Sequence, residues 1–228
     1  MEAIILAGGL GTRLRDVIAD KPKCMAPING RPFLEILLKQ LVVNGFNRII
    51  LSLGYKAEDI ISYFGNSFGD LELVYEVEDS PLGTGGAIRA ALTHCLSDHA
   101  FVFNGDTYLN IEASKIEQRW QKNRRPIMVI REIKDTGRFG RIDVNEDKVI
   151  AFLEKQSGGA GFINAGCYVL PKELLDDFPL NQKFSFETDY LEKFIASVKI
   201  DYFITQADFI DIGVPEDYAR AQIEIAGI

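Results

Sequence analysis

Short apolar runs alternate with stretches of helical period through the first half of the chain. The runs from Ala3 to Ala7, Arg48 to Leu53, Leu71 to Glu76 and Ala100 to Asn104 have the length of strands. Between them, "PFLEILLKQLVVNG" places apolar residues at 33, 34, 37, 38, 41 and 42, and Gly45 stands where such a helix would stop. The segments "AEDIISYF" and "GGAIRAALTHCL" carry similar stripes. Each stripe needs a sheet to cover it, so the order predicts βα units around a mainly parallel sheet flanked by helices, an α/β fold.

Past residue 125 or so the pattern tightens. "PIMVIREI", "GRIDV", "VIAFLEK" and "FINAGCYVL" read as closely spaced strands, an antiparallel addition that makes the sheet mixed. Helices are expected at about 186 to 197 and 215 to 226. The second opens on Pro215, followed by Glu216 and Asp217, which suits a helix N-terminus. No repeat or linker interrupts the chain, so one domain over residues 1–228 is the expectation.

Composition narrows the partners. With 228 residues, 47% of them hydrophobic and 25% charged, the chain can bury a core without staples. Cys24, Cys95 and Cys167 are odd in number and far apart, which argues against a disulfide framework or structural zinc and for a reducing compartment. No apolar run approaches the roughly 18–20 residues that span a bilayer, and Glu2 stands where a signal peptide carries positive charge, so the cytoplasm is the expected location. A net charge of −8 disfavours nucleic acid or an anionic membrane as the main partner. The first 31 residues run the other way: Arg13, Arg15, Lys21, Lys23 and Arg31 oppose Glu2, Asp16 and Asp20, five cations against three anions. A small anion is drawn to that end.

The stretch "ILAGGLGTRLR", residues 5 to 15, is where such an anion would sit. Its G-x-G at Gly9 and Gly11 begins like a dinucleotide fingerprint, but the third glycine position holds Leu14. The second strand, in "IILSLGYK", also lacks the terminal acid that takes a ribose. No G-x-x-x-x-G-K-[ST] string occurs, which excludes a P-loop. What remains is a strand followed by Gly8, Gly9 and Gly11, whose backbone can approach phosphates closely, with Arg13 two residues on to neutralise them.

The run "LAGGLGTRLRDVIADKPKCMAPINGRPFLEILL" resembles the N-terminal signature of the sugar-1-phosphate nucleotidylyltransferases. The resemblance continues in order through "EDSPLGTGGAI", "VFNGDTYL", "FLEK", "INAGCYVL" and "FIDIGVPEDY", so it covers nearly the whole chain. Within that family the chain looks most like the branch of D-glycero-D-manno-heptose 1-phosphate guanylyltransferases. Uridylyltransferases and other nucleotidylyltransferases acting on N-acetylmuramate, glucose or mannose 1-phosphate are the alternative. Two departures stand out: Arg15, Asp16, Val17 and Ile18 where the family often has Arg-Pro-Leu-Thr, and Lys23, Cys24 and Met25 where it often has Lys-Pro-Met.

The resemblance implies a Rossmann-like, nucleotide-diphospho-sugar transferase (GT-A-like) fold. It also implies a reaction in which a nucleoside triphosphate, GTP favoured, joins a sugar 1-phosphate and releases pyrophosphate, making a precursor of capsule, S-layer or lipopolysaccharide. Nucleotide contacts are expected from Leu6, Ala7, Gly8, Gly9, Gly11, Thr12 and Arg13, from Gly83 and Thr84 at the base, and from Gly105. Lys23, Gly140, Glu154, Lys155, Asn164, Gly166 and Glu187 are expected to hold the sugar phosphate. Asp106 and Asp211 are expected to bind Mg2+, with Arg13, Lys23 and Asp106 catalytic.

The attacking phosphate oxygen is already ionised near neutral pH, so no general base is needed and cations carry the catalysis. His94 and His99, the only histidines, are accordingly expected to be structural. A glycosyltransferase usually has a D-x-D metal motif, and no two aspartates here stand two apart. A non-catalytic regulator would not need Arg13, Lys23, Asp106 and Asp211 together. The chain leaves its oligomeric state open, a homo-oligomer included.

Overall fold

The computed structural model describes residues 1–9, 21–153, 158–225 and 227. Its strands are β1 (Glu2–Leu6), β2 (Pro27–Ile28), β3 (Arg31–Pro32), β4 (Arg48–Leu53), β5 (Ser67–Phe68), β6 (Leu71–Val77), β7 (His99–Asn104), β8 (Thr107–Leu109), β9 (Ile127–Ile133), β10 (Arg141–Asn145), β11 (Lys148–Leu153), β12 (Gly161–Pro171), β13 (Asp201–Thr205) and β14 (Phe209–Asp211). The helices are α1 (Phe33–Val43), α2 (Ala57–Phe64), α3 (Gly83–Leu92), α4 (Ala113–Asn123), α5 (Glu192–Phe194) and α6 (Pro215–Glu224).

Ten strands form one mixed sheet in the order β10-β11-β13-β9-β12-β7-β1-β4-β6-β5. The β1–β4, β4–β6 and β1–β7 pairs are parallel, as the βα alternation predicts. Antiparallel β12 then separates β7 from β9. Chain direction along the parallel strands therefore leads outward from β1 to both sides. The gap opened between the ends of β1 and β7 is the topological switch point where such sheets bind ligands.

Alternation along β1 divides the core. Ile5 joins Leu34, Leu38, Leu51, Ile60 and Trp120 under α1, α2 and α4, while Ile4 joins Ile50, Ile88, Leu92, Phe186 and Tyr190 under α3. The opposite face of α1, with Phe33, Ile36 and Leu37, packs on Ile210, Ile212 and Tyr218 and holds β14 and α6 in place. Gly45 follows α1 at φ +81°, and Pro215 occupies the first turn of α6, as expected from their positions.

The periodicity misses α4, whose apolar stripe narrows to Ala113, Ile116 and Trp120 on an otherwise polar helix. It also misses β8, β13 and β14, two of them only three residues long. The helix expected at 186 to 197 is instead a wide π-helical turn over Phe186–Leu191 that runs into the short α5. Ser185 and Asp189 cap it reciprocally: the Ser185 N–H donates to Asp189 Oδ2 at 2.9 Å, and Ser185 Oγ accepts from the Thr188 N–H.

Glu2 ties β1 to the turn before β7. Its buried carboxylate accepts from the Leu96 and Ser97 N–H groups and from Arg48 Nη1. Burial presses this carboxyl upward, but the Ser97 and Leu96 donors and Arg48 outweigh burial and hold it below the ordinary value of 4.5. Its stabilisation is therefore complete above pH 4.5 and is lost as pH falls through the lower folded-state value. Glu2→Gln is expected to destabilise by about 1–3 kcal/mol at neutral pH. The gap to the parent protein should narrow in denaturant melts as pH falls further below 4.5; a gap that does not narrow assigns the loss to packing.

Candidate active site

A cavity of about 510 Å³ opens at the switch point. The ends of the four contiguous parallel strands reach it: Leu6 of β1, Ser52 of β4, Glu78 just past β6 and Asn104 of β7. Of the residues expected to contact ligand, Leu6, Ala7, Gly8, Gly9, Gly83, Thr84 and Gly105 line it, as do Lys23, Asp106 and Glu187. Gly11, Thr12, Arg13, Glu154 and Lys155 lie outside the described residues.

Lys23 opens a single 3-10 turn, Lys23–Met25, after Pro22. Cys24 next to it is fully buried in the core and anchors the turn, while Lys23 lines the cavity. Burial pushes the Cys24 thiol up to about 12, so it stays protonated and unreactive. Lys23 Nζ meets Asp106 Oδ2 at 2.5 Å.

Asp106 and Asp211, 105 positions apart in the chain, are neighbours in space. Strands β8 and β14 pair antiparallel with Asp211 opposite Thr107, and the Ile212 N–H donates to the Asp106 carbonyl at 2.9 Å. Burial, then repulsion from Asp106, raises the Asp211 carboxyl above its ordinary value, against the pull of Lys23 and the Gly213 N–H. Two hard oxygen ligands that repel each other, with Asp106 lining a nucleotide-sized cavity, fit a divalent cation that takes its remaining ligands from substrate phosphates and water. Among the described residues no group of three or more His, Cys, Asp or Glu side chains has metal-binding geometry, so a cation here would need those substrate oxygens.

The glycines before and within α3 have a cause that the motif alone does not show. Residues 182–186 cross directly over the start of the helix. A Cβ on Gly83 would stand 2.6 Å from the Phe184 carbonyl, one on Gly86 2.5 Å from the Gln182 carbonyl, and one on Gly85 inside the Phe184 ring. Gly83 is also at φ +70°. The Gly85 N–H donates to the Phe184 carbonyl at 3.0 Å and Gly86 shares the same acceptor, so these two donors serve the crossing and not a ligand. The Thr84 hydroxyl donates to Glu187 Oε2 at 2.6 Å and accepts from the Phe186 N–H at 2.9 Å. Glu187, expected only at the sugar, thus also latches the base loop.

Asn164 accepts from the Gly166 N–H and donates to the Tyr168 hydroxyl, so its side chain stiffens the bulge in β12; it is not among the residues that line the cavity. Gly166, at φ +72°, packs against the Asn104 side chain at the cavity's edge. Gly140 stands off the cavity wall, beside the Leu153 carbonyl where β10 and β11 meet. His94 pairs with Glu76, and His99 lies between Asp98 and Glu117, stacked on Trp120; neither lines the cavity.

Sequence reasoning missed Glu78. Its Oε2 accepts from the Leu82 N–H at 2.9 Å, and its Oε1 lies where a Cβ on Gly8 would come within 3.2 Å, so the carboxylate faces the floor of the cavity. Burial raises its carboxyl, the Leu82 N–H opposes this, and repulsion from Glu76 adds to it. The available signal was an acid just beyond a parallel strand's C-terminal end, immediately before the glycine loop. Ser52, whose buried hydroxyl has no partner among the described residues, and Asn104 were missed in the same way.

A nucleotide-sized cavity at the switch point of the parallel strands, with two neighbouring aspartates and a lysine beside it, is the site of a nucleotidyl-transferring enzyme. The nucleotidyl transferase family model matches residues 2–227, and the chain belongs to that family. It is 42% identical over 226 residues to the D-glycero-alpha-D-manno-heptose 1-phosphate guanylyltransferase of Aneurinibacillus thermoaerophilus, covering 99% of this chain and 98% of that one. It is 44% identical to the enzyme of the same name from Campylobacter jejuni, over 96% and 97% of the two chains. The crystal structure of HddC from Yersinia pseudotuberculosis complexed with GMP-PN superposes with a TM-score of 0.86 at 41% identity, over 97% of each chain. Among the described residues, no helix is long and apolar enough to cross a membrane.

Proposed function

We propose that this chain, acting as one catalytic domain, transfers a guanylyl group from GTP to D-glycero-alpha-D-manno-heptose 1-phosphate in the cytoplasm. A phosphate oxygen of the sugar phosphate bonds to the α-phosphorus, the α–β bridge breaks, and pyrophosphate leaves. The sugar follows the names of the two relatives above. The base rests on Glu78. Guanine presents adjacent N1–H and N2–H2 donors that one carboxylate accepts together, whereas uracil presents a single N–H flanked by carbonyls, which a carboxylate repels. This weighs against the uridylyltransferase reading.

In this scheme the glycine loop after β1 carries the triphosphate, with Arg13 beside the departing pyrophosphate. Lys23 neutralises the α-phosphate and the incoming phosphate, and Asn164, Gly166 and Glu187 face the sugar. Asp106 and Asp211 hold Mg2+, which when bound screens the charge of the two approaching phosphates. Holding these groups in line is the main work of the fold, because the transition state differs from the reactants mostly in its charge distribution.

A matrix of the common triphosphates against sugar 1-phosphates, read as pyrophosphate release, tests this directly. GTP with the heptose phosphate is the expected positive pair, and turnover with UTP instead would sink the base assignment. Glu78→Gln should lower kcat/KM for GTP by about 5–150-fold, the loss expected for one bidentate contact. Its activity with ITP, which lacks the 2-amino group, should fall less.

A further inference from the structure

The Lys23–Asp106 ion pair has a consequence for how metal enters. Both carboxylate oxygens of Asp106 are engaged: Oδ2 by Lys23 Nζ at 2.5 Å, and Oδ1 by the Thr107 hydroxyl at 3.2 Å. The ammonium also lies against Gly213, where a Cβ would stand 3.0 Å from Nζ and 2.7 Å from Asp211 Oδ1. Gly213 thus leaves open the space between the ammonium and Asp211 Oδ1. A divalent cation on the same carboxylates would contend with the ammonium for the same lone pairs and be repelled by its charge.

We propose that Lys23 is an exchangeable counter-ion of the metal site: its ammonium pairs with Asp106 and offsets the charge of nearby Asp211 until a divalent cation displaces it, and the displaced amine then serves the phosphates. The inference rests on the metal reading above. It makes one residue both a competitor for metal and a requirement for turnover. Metal arrival and the placing of the phosphate-binding cation become one event. No covalent step is involved, only exchange of one cation for another on the same oxygens.

Direct Mn2+ binding, followed by electron paramagnetic resonance without nucleotide, separates the outcomes. Lys23→Met should bind Mn2+ about tenfold more tightly than the parent protein, as removal of a competing charge within a few ångströms predicts. Asp106→Asn should bind it at least tenfold more weakly. If Asp106→Asn keeps its affinity, the metal reading itself fails, and the exchange with it. If Asp106→Asn loses affinity while Lys23→Met gains none, the metal site stands and the exchange is overturned.

A measurement on the unaltered protein guards against a variant that misfolds. Acylation of lysines by a water-soluble active ester, mapped residue by residue, should show Lys23 labelled faster when Mg2+ is added without nucleotide. Lys172, paired with the Cys95 carbonyl away from the cavity, serves as an internal reference. Labelling of Lys23 that does not change with Mg2+ overturns the proposal.

Discussion

Replacing Lys23 by methionine should lower kcat by about 10²–10³-fold, the range found when one preorganised charge-stabilising group is removed. The reason lies in the site's charge balance. In the proposed reaction two polyanions meet beside Asp106 and Asp211, and Lys23 is the lysine that lines the cavity among the described residues. Methionine keeps the length and apolar stem of the side chain but removes the charge, and the turn beneath it is held by buried Cys24 and by the Met25 N–H to Pro22 carbonyl bond at 2.8 Å. The fold should therefore persist. Steady-state kinetics with both substrates saturating checks this, with a thermal melt as the folding control. A variant with parental kcat would move the phosphate-neutralising role to another residue.

The second large effect is expected at Gly83. Alanine there meets the Phe184 carbonyl at 2.6 Å and must also adopt φ +70°. A left-handed non-glycine residue costs about 1–2 kcal/mol, and overpacking against a fixed neighbour about 1–3 kcal/mol. The sum, about 2–5 kcal/mol, is a large share of an ordinary domain's stability. Phe184 is not free to give way, because its ring stacks on Phe178 at 4.3 Å and its carbonyl already accepts from Gly85. Chemical denaturation should show this loss, and the GTP KM should rise in whatever fraction remains folded. A variant with unchanged stability would show that residues 182–186 can lift off the helix.

Much of this was legible from local pattern. The parallel strands fall within a residue or so of the apolar runs, because a strand buried on both faces reads as an unbroken apolar segment. Gly45 and Pro215 mark helix ends through backbone geometry that is intrinsic to those residues. Narrowly striped or very short elements such as α4, β8 and β14 were not legible, because their stability comes from neighbours and not from their own periodicity. Glu78 was hidden for a related reason. An acid at a strand end is common on any surface, and only the floor of Gly8 and the walls of the cavity make this one a candidate base reader.

The glycine loop, the strand–helix alternation and the charged residues of the motifs were all readable in the linear chain, since they depend on backbone freedom, periodicity and charge within a few residues. The tertiary structure decided which of those charges meet. Asp106 reaches Asp211 only because β8 and β14 pair across 105 positions, and Lys23 reaches Asp106 only because Cys24 is buried beneath it. The run of glycines at 83, 85 and 86 acquired its second meaning in the same way, from a segment a hundred residues later that crosses it. Contacts of such separation are set by topology and packing, and a short-range pattern carries no record of them.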